Sequence, residues 1–259
     1  MSVPFACTLA SSSSGNATLF SNGRTHILLD AGIPIRAIAS ALALFSLSVY
    51  DLTAVVVTHE HGDHTAALPF LPQHIPVYAS FGTAAHLPGS PHPVAPGNAF
   101  EINGVALTPF STPHDTPDST GYIVQDGAYR MALATDMGHM PDDVLVLLAE
   151  VPVLFLESNY DQGMLMLGKY PVYLKRRIAG SLGHLSNDAC AEAAVTCVNG
   201  RLRSLVLMHL SKENNTPALA YDTTCKRLEQ DGIVVGRDMQ LLVAPRSEPC
   251  KPLSLYAVG

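Results

Sequence analysis

Within the ten residues VVVTHEHGDH stand His59, His61, Asp63 and His64. Neutral imidazoles and a carboxylate are the donor set that binds zinc, iron or manganese. A strand running into a loop throws alternate residues to one side, so His59 and His61 can share a face. The turn at Gly62 then brings Asp63 and His64 beside them. The competing reading is a solvated histidine-rich loop, and so many donors at this spacing argue against it. Three further donors each follow a predicted strand: His114 in VALTPFSTPHD, Asp136 in YRMALATDMGH and His209 in SLVLMHLSKENN. Alone, each reads as readily as a turn former or a cap. Their shared placement matters, because strand C-terminal ends converge on one edge of a layered sheet.

The elements that must position these residues are short. Strands are predicted over 17–20, 26–30, 54–58, 105–111, 121–125, 130–134, 153–157, 205–208 and 241–243. Helices are predicted over 35–44, 142–150, 187–198 and 217–230. Several strands, such as VVVT and LVLM, are apolar on both faces, which demands a covering layer on each side. A layered α/β or α+β architecture follows. No linker or short repeat divides the chain, so one domain over 1–259 is expected.

The chain has 259 residues, 47% hydrophobic and only 14% charged, against roughly 25% charged in ordinary globular proteins. With a mean hydropathy of +0.21, this excludes intrinsic disorder. A membrane span is not expected: the apolar stretch 37–50 falls short of the ~20 residues a bilayer needs, and prolines break the uncharged stretch 65–100. A net charge of −7 argues against a broad nucleic-acid surface but leaves room for a local anion site. Five cysteines without a CxxC pair read as reduced structural thiols of a cytoplasmic protein. The N-terminal stretch lacks the basic and apolar regions of a secretory signal. The oligomeric state is left open. Histidine is the odd entry: eleven, against fifteen Lys plus Arg.

HEHGDH, His114, Asp136 in TDMG and His209, in this order, resemble the motifs of the metallo-β-lactamase fold hydrolases, and Asp30 in LLDAG matches their early aspartate motif. SSSSGN, LESNYD, YPVYLKRRI, GHLSNDACAEAA and HLSKENN are similar to segments of the YycJ/WalJ-like branch. The resemblance covers essentially the whole chain. It implies a four-layer αββα sandwich with a dinuclear metal site at one edge, and nuclease activity on DNA, 5′-to-3′ exonucleolytic in the sharpest form. It also implies a ligand set: His59, His61 and His114 for one divalent ion, Asp63, His64 and His209 for the second, and Asp136 bridging. Zinc or manganese is expected, with iron as a further option. Two such ions can bring the pKa of water from 15.7 to about 7, supplying hydroxide at neutral pH.

Hydrolysis also needs a proton for the leaving group. His184 in GHLSN is the candidate general acid, with Glu157 in FLESN orienting it; the pair is similar to that of the tRNA 3′-processing endonucleases of this fold. The competing reading makes His184 structural and Glu157 a partner of loop backbone. Asp30 is expected to receive a ligand imidazole's second N–H rather than bind metal. His139 is not required as a ligand, and His26, His74, His86 and His92 are expected at the surface or in loops. SSSSGN reads as a tight turn, with Ser14 and Asn16 as candidate phosphate contacts. Ser186 or Asn187 can cap the following helix, and Asn187 is also a candidate substrate contact. Lys175, Arg176 and Arg177 form either a solvated helix face or a patch that contacts nucleic-acid phosphate.

Other functions use the same fold. Flavo-di-iron proteins replace the second histidine of the cluster by glutamate, so His61 favours a hydrolase. Only 72 residues separate Asp136 from His209, too few for the β-CASP domain of the long nucleases. RNA-processing or small-molecule phosphodiesterases and thioester or lactone hydrolases remain alternatives, and a non-catalytic metal-binding protein is disfavoured because no motif is degraded.

Overall fold

Strands apolar on both faces require packing on each side, and here they stack in two seven-stranded sheets. The computed structural model describes residues 3–257, so the first two and last two residues of the expected domain lie outside the described range. The first sheet contains β1 (Phe5–Ser12), β2 (Gly15–Ser21), β3 (His26–Leu29), β4 (Ala54–Val56), β5 (Val77–Ser80) and β6 (His92–Val94). The second contains β7 (Phe100–Ile102), β8 (Val105–Ser111), β9 (Thr120–Asp126), β10 (Tyr129–Ala134), β11 (Val153–Glu157), β12 (Ser204–Met208) and β13 (Gln240–Val243). A last short strand, β14 (Leu253–Ser254), returns to pair antiparallel with β1.

Alternation along each strand divides the core into three. Phe20, Ile27 and Leu29 meet Tyr122, Leu133, Phe155 and Met208 between the sheets. The residues facing outward from the first sheet, such as Leu28 and Val55, pack on Ile38 and Leu42 of α1 (Ile35–Ala43). On the far side Leu154, Leu156, Leu205 and Leu207 pack against α4 (Asp142–Ala149), α7 (Asn187–Asn199) and α8 (Pro217–Gln230). The layer order is therefore αββα. The remaining helices are short: α2 (Gly62–Thr65), α3 (Phe81–Ala84), α5 (Gln162–Leu167) and α6 (Val172–Ile178).

The parallel pairings β3–β4 and β10–β11–β12 align strand ends. Ala134 lies beside Leu156, and Glu157 beside Met208. Asp30, Asp136 and His209, each within two residues of such an end, have positive φ, at 62°, 57° and 58°. For a residue with a Cβ this costs on the order of 1–2 kcal/mol, and all three side chains turn toward one edge of the sandwich.

Two of the histidines outside the motifs lie in strands. His26 starts β3, as the predicted strand 26–30 has it, half-buried, with Nδ1 2.9 Å from Ser21 Oγ on its cross-strand partner. His92 is exposed but lies in β6, stacked on Tyr78. All five cysteines are free, with Cys7, Cys190 and Cys197 buried. Among the described residues no helix is long and apolar enough to cross a membrane.

Candidate metal centre

The sandwich edge gathers donors from four strand ends, those of β4, β8, β10 and β12. β4 runs through Thr58 into His59 and His61, and α2 then turns His64 back beneath them. Donor atoms of His59, His61 and His114 lie within 4.8 Å of one another, as do those of Asp63, His64 and His209. Asp136 lies between the groups, its Oδ2 3.2 Å from His64 Nε2 and its Oδ1 3.6 Å from His114 Nε2.

Hydrogen bonds settle which ring nitrogens face the centre. His64 Nδ1 donates to Asp30 Oδ2 at 2.7 Å, and His114 Nδ1 donates to the Gly183 carbonyl at 3.0 Å. His209 Nδ1 donates to Glu157 Oε1 at 2.8 Å. The Thr58 hydroxyl donates to Asp30 and so accepts from His59 Nδ1 at 3.0 Å. In each ring Nε2 is left for the centre. His61 differs, presenting Nδ1 at 3.4 Å from His114 Nε2.

This arrangement fits metal ions. His59 Nε2 is buried without a hydrogen-bond partner, and the buried Asp136 Oδ2 has the His64 ring beside it at 3.2 Å. His61 Nδ1 and His114 Nε2 face each other at 3.4 Å and share at most one long hydrogen bond. Buried polar atoms left in this way are costly, and a cation satisfies them. The His/Asp clusters are thus suited to divalent metal ions.

Charge follows the same geometry. Burial, then the neighbouring His64, pushes His59 well below the usual imidazole range. Burial also opposes a charge on His64, but Asp30 and Asp136 outweigh it and hold its pKa well above that range. His209 is pushed up to about 10, with Asp136, Asp63 and Glu157 overcoming burial. Burial would raise the Asp63 carboxyl; the His209 and His64 rings reverse this and hold it low.

His184 stands beside the donors, its Nδ1 2.8 Å from Glu157 Oε1 and 3.4 Å from Asp136 Oδ1. Glu157 outweighs burial and raises the His184 pKa. Glu157 is itself fully buried, and its Oε2 accepts from the backbone of Met137 and Leu185 at 2.9 and 3.1 Å. Glu157 thus bonds the His184 ring with one oxygen and loop backbone with the other. Gly183 must lack a side chain, since a Cβ there would meet the carbonyls of Ile178 and Arg177. Gly32, in LLDAG, likewise lets the Asp63 backbone pack against it.

Several candidates occupy other places. Asn16 is buried; its Oδ1 accepts from Ser11 Oγ and Ser12 N, and its Nδ2 donates to the Ser12 carbonyl, 3.3 Å from His64 Nε2. These bonds brace the β1–β2 turn against the His64 ring. Ser14 points away from the centre, and Ser13 lines the cavity instead. Asn187 is buried and held by Ser158 and Asn215, and it does not line the cavity; Ser186 caps α7. Of the basic run, Arg177 alone lines the cavity, paired with Asp115 at 2.6 Å. Lys175 Nζ donates to the Met166 carbonyl, and Arg176 is solvated. His139 is exposed and bonds the Ser181 carbonyl. Residues not anticipated are Thr58, Asp115, Asn159, which donates to the His209 carbonyl, and Ser11, which accepts from His209 N. Thr58, Asn159 and Ser11 fall inside quoted motifs, but nothing in their type marked them as supports.

The cavity beside the donors measures about 270 Å³ and is walled by Tyr170, Leu174 and Arg177 as well as the histidines. Two stacked sheets carrying this histidine–aspartate cluster at one edge define the class: the chain belongs to the beta-lactamase superfamily, whose domain profile matches residues 25–210. Within it, the chain is 31% identical over 245 residues to the exodeoxyribonuclease WalJ of Streptococcus pneumoniae, covering 90% of this chain and 91% of that one. It is 29% identical over 243 residues to the exodeoxyribonuclease YycJ of Bacillus anthracis, covering 90% and 92%. The metallo-β-lactamase fold protein YhfI of Bacillus subtilis superposes with a TM-score of 0.71 at 15% identity, over 96% of this chain and 99% of that one.

Proposed function

We propose that this chain is a phosphodiesterase that removes nucleotides from DNA, with two divalent ions, zinc or manganese, at the sandwich edge. His59, His61 and His114 would hold one ion, Asp63, His64 and His209 the other, and Asp136 both. The carrying observation is that His61, Asp63, His114, Asp136, His209 and His184 line one cavity, and that the buried His59 and His64 complete the donor groups behind it. When bound, the ions acidify water and neutralise a phosphoryl oxygen. The rest is done by side chains. Asp30, Thr58, Gly183 and Glu157 fix the tautomers of four imidazoles, so their Nε2 atoms are available as donors. Glu157 takes His184 Nδ1–H and favours the imidazolium, leaving Nε2–H to protonate the departing alkoxide. Arg177 at the cavity wall pairs with phosphate. Similarity to two exodeoxyribonucleases over nine-tenths of the chain supports DNA as the polymer. Free thiols throughout fit a reducing compartment, the cytoplasm.

The test is metal analysis of the purified protein together with digestion of end-labelled DNA and RNA duplexes. Metal-dependent shortening of DNA from its 5′ end is expected. Turnover confined to acyl substrates would overturn the reading.

A further inference from the structure

A second cavity, about 730 Å³, lies next to the first and shares two chain segments with it. At the β1–β2 turn, Ser13 lines the metal cavity while Ser12 and Ser14 line the larger one. After His209, Ser211 faces the first and Lys212 the second. The larger cavity is built differently. Leu9, Ala10 and Ile33 form an apolar floor, and Ala37, Ala41 and Leu44 of α1 and its end, at helical spacing, form a wall. Leu44 is 72% exposed, so this wall has no partner within the described chain.

Lys212, Arg246 and one carboxylate, Glu248, stand at this cavity. Arg246 Nη2 donates to the Ser211 carbonyl at 3.4 Å, but its Nη1 is buried with no partner. Arg246 lines the cavity and is held by one long hydrogen bond, so a turn of the side chain presents its planar fork to an anion there, and phosphate matches that fork. The volume falls within the ~300–1,000 Å³ of small-molecule sites. An apolar surface with a cation at its edge, continuous with a phosphodiester-cleaving centre, suits one chemical unit: a nucleoside with its phosphate. A base covers the aliphatic wall, and the phosphate meets Arg246 and Lys212 at its edge.

We propose that this groove is a polynucleotide subsite, taking the nucleoside next to the scissile linkage against α1 and its phosphate on Arg246 and Lys212. The inference rests on the phosphodiesterase reading above. It places substrate recognition on α1 and the 246–249 segment, apart from the histidine cluster. Small phosphodiesters do not reach the groove, whereas a strand does.

The experiment compares wild type with Ala37→Glu, Ala37→Lys and Arg246→Gln. Ala37 is exposed on a helix, so either charge is tolerated by the fold. The first readout is KM for a single-stranded 12-mer divided by KM for bis-p-nitrophenyl phosphate on the same preparation, which cancels general damage to the centre. The second is anisotropy of a fluorescein-labelled 12-mer with chelated protein, which needs no turnover. The KM ratio and the Kd are expected to rise about tenfold in Ala37→Glu and Arg246→Gln and to fall in Ala37→Lys, as for a lost or gained phosphate contact. Unchanged ratio and Kd in both weakening variants overturn the subsite and leave the phosphodiesterase standing. Anionic phosphatidylglycerol vesicles bound by wild type and lost in Ala37→Glu, with 12-mer affinity intact, overturn it in favour of a lipid face. A wild type that hydrolyses neither substrate overturns the phosphodiesterase reading, and a Kd insensitive to all three variants then removes the groove as well.

Discussion

Glu157 Oε1 lies 2.8 Å from His209 Nδ1 and equally 2.8 Å from His184 Nδ1. The register of β11 against β12 sets this up: Glu157 pairs with Met208, and the positive φ of His209 folds its ring back onto the neighbouring strand. One buried carboxylate therefore couples a donor of the metal cluster to the candidate acid. Glu157→Gln keeps the shape but loses the charge that holds the two imidazole N–H groups, and its amide nitrogen would oppose the Met137 and Leu185 N–H groups that Oε2 now accepts. It is expected to lower metal affinity by about 10–100-fold and turnover with it. His184→Ala should instead cut turnover by about 10²–10⁴-fold with metal content unchanged. Inductively coupled plasma analysis beside kcat separates the two; metal loss in His184→Ala would make His184 a ligand.

Asp30 braces the other end of the centre, accepting from Thr58 N at 2.8 Å and from His64 Nδ1 at 2.7 Å. Asp30→Asn keeps a residue tolerant of its positive φ, so backbone strain is not the variable. The amide forfeits the charge that favours His64 Nδ1–H, and metal affinity is expected to drop about 10–100-fold. Competition with a chromophoric chelator measures it. An affinity equal to wild type would show that Thr58 alone fixes the ring.

The metal cluster was legible because its chemistry is written in residue types at strand ends: HEHGDH, His114, Asp136 and His209 needed only the topology to bring them together. The inner strands were legible because VVVT, LVLM and their like alternate between two apolar cores. What stayed hidden was whatever depends on partners distant in sequence. Ser11 accepts from His209 N across 198 residues, and Asn16 is consumed by its own hairpin. A serine or asparagine in a polar run looks the same whether it meets phosphate or braces a loop. β1 escaped because FACTLASS is made of small residues with low strand preference; its partners β2 and β14 hold it extended.

Arg177 and Lys175 separate the two readings of the basic run. Arg177 pairs with Asp115 at the cavity wall, whereas Lys175 is tied to the carbonyl of Met166. Arg177→Glu is expected to weaken oligonucleotide binding and to reduce the salt slope by about one. Lys175→Glu should change both far less. Anisotropy titrations from 50 to 300 mM salt, an interval of about sixfold chosen to expose the slope, decide it. Equal slopes for all three proteins would return the whole run to a solvated helix face.

Removing metal should trade ions for protons. In the folded, metal-free chain the pKa values of His64 and His209 are raised, the latter to about 10, against an ordinary 6.5. Their contribution to stability is complete below 6.5 and is lost as pH rises toward 10. Asp63 and Asp136 are lowered, so their contribution is complete above the ordinary carboxylate value of 3.8 and is lost as pH falls. His59 and His61 are lowered by burial, so their contribution falls as pH drops below 6.5, and chelated protein is therefore expected to melt highest near pH 6.5, with Tm declining toward pH 10. Metal binding at pH 7.5 must expel the protons on His64 and His209, releasing on the order of two. Calorimetry in two buffers of different ionisation enthalpy counts them, and melting curves with and without chelator give the pH profile. A metal-free Tm that stays level or climbs from pH 6.5 to 10, or metal binding that releases no protons, contradicts a centre in which imidazolium stands in for the ions.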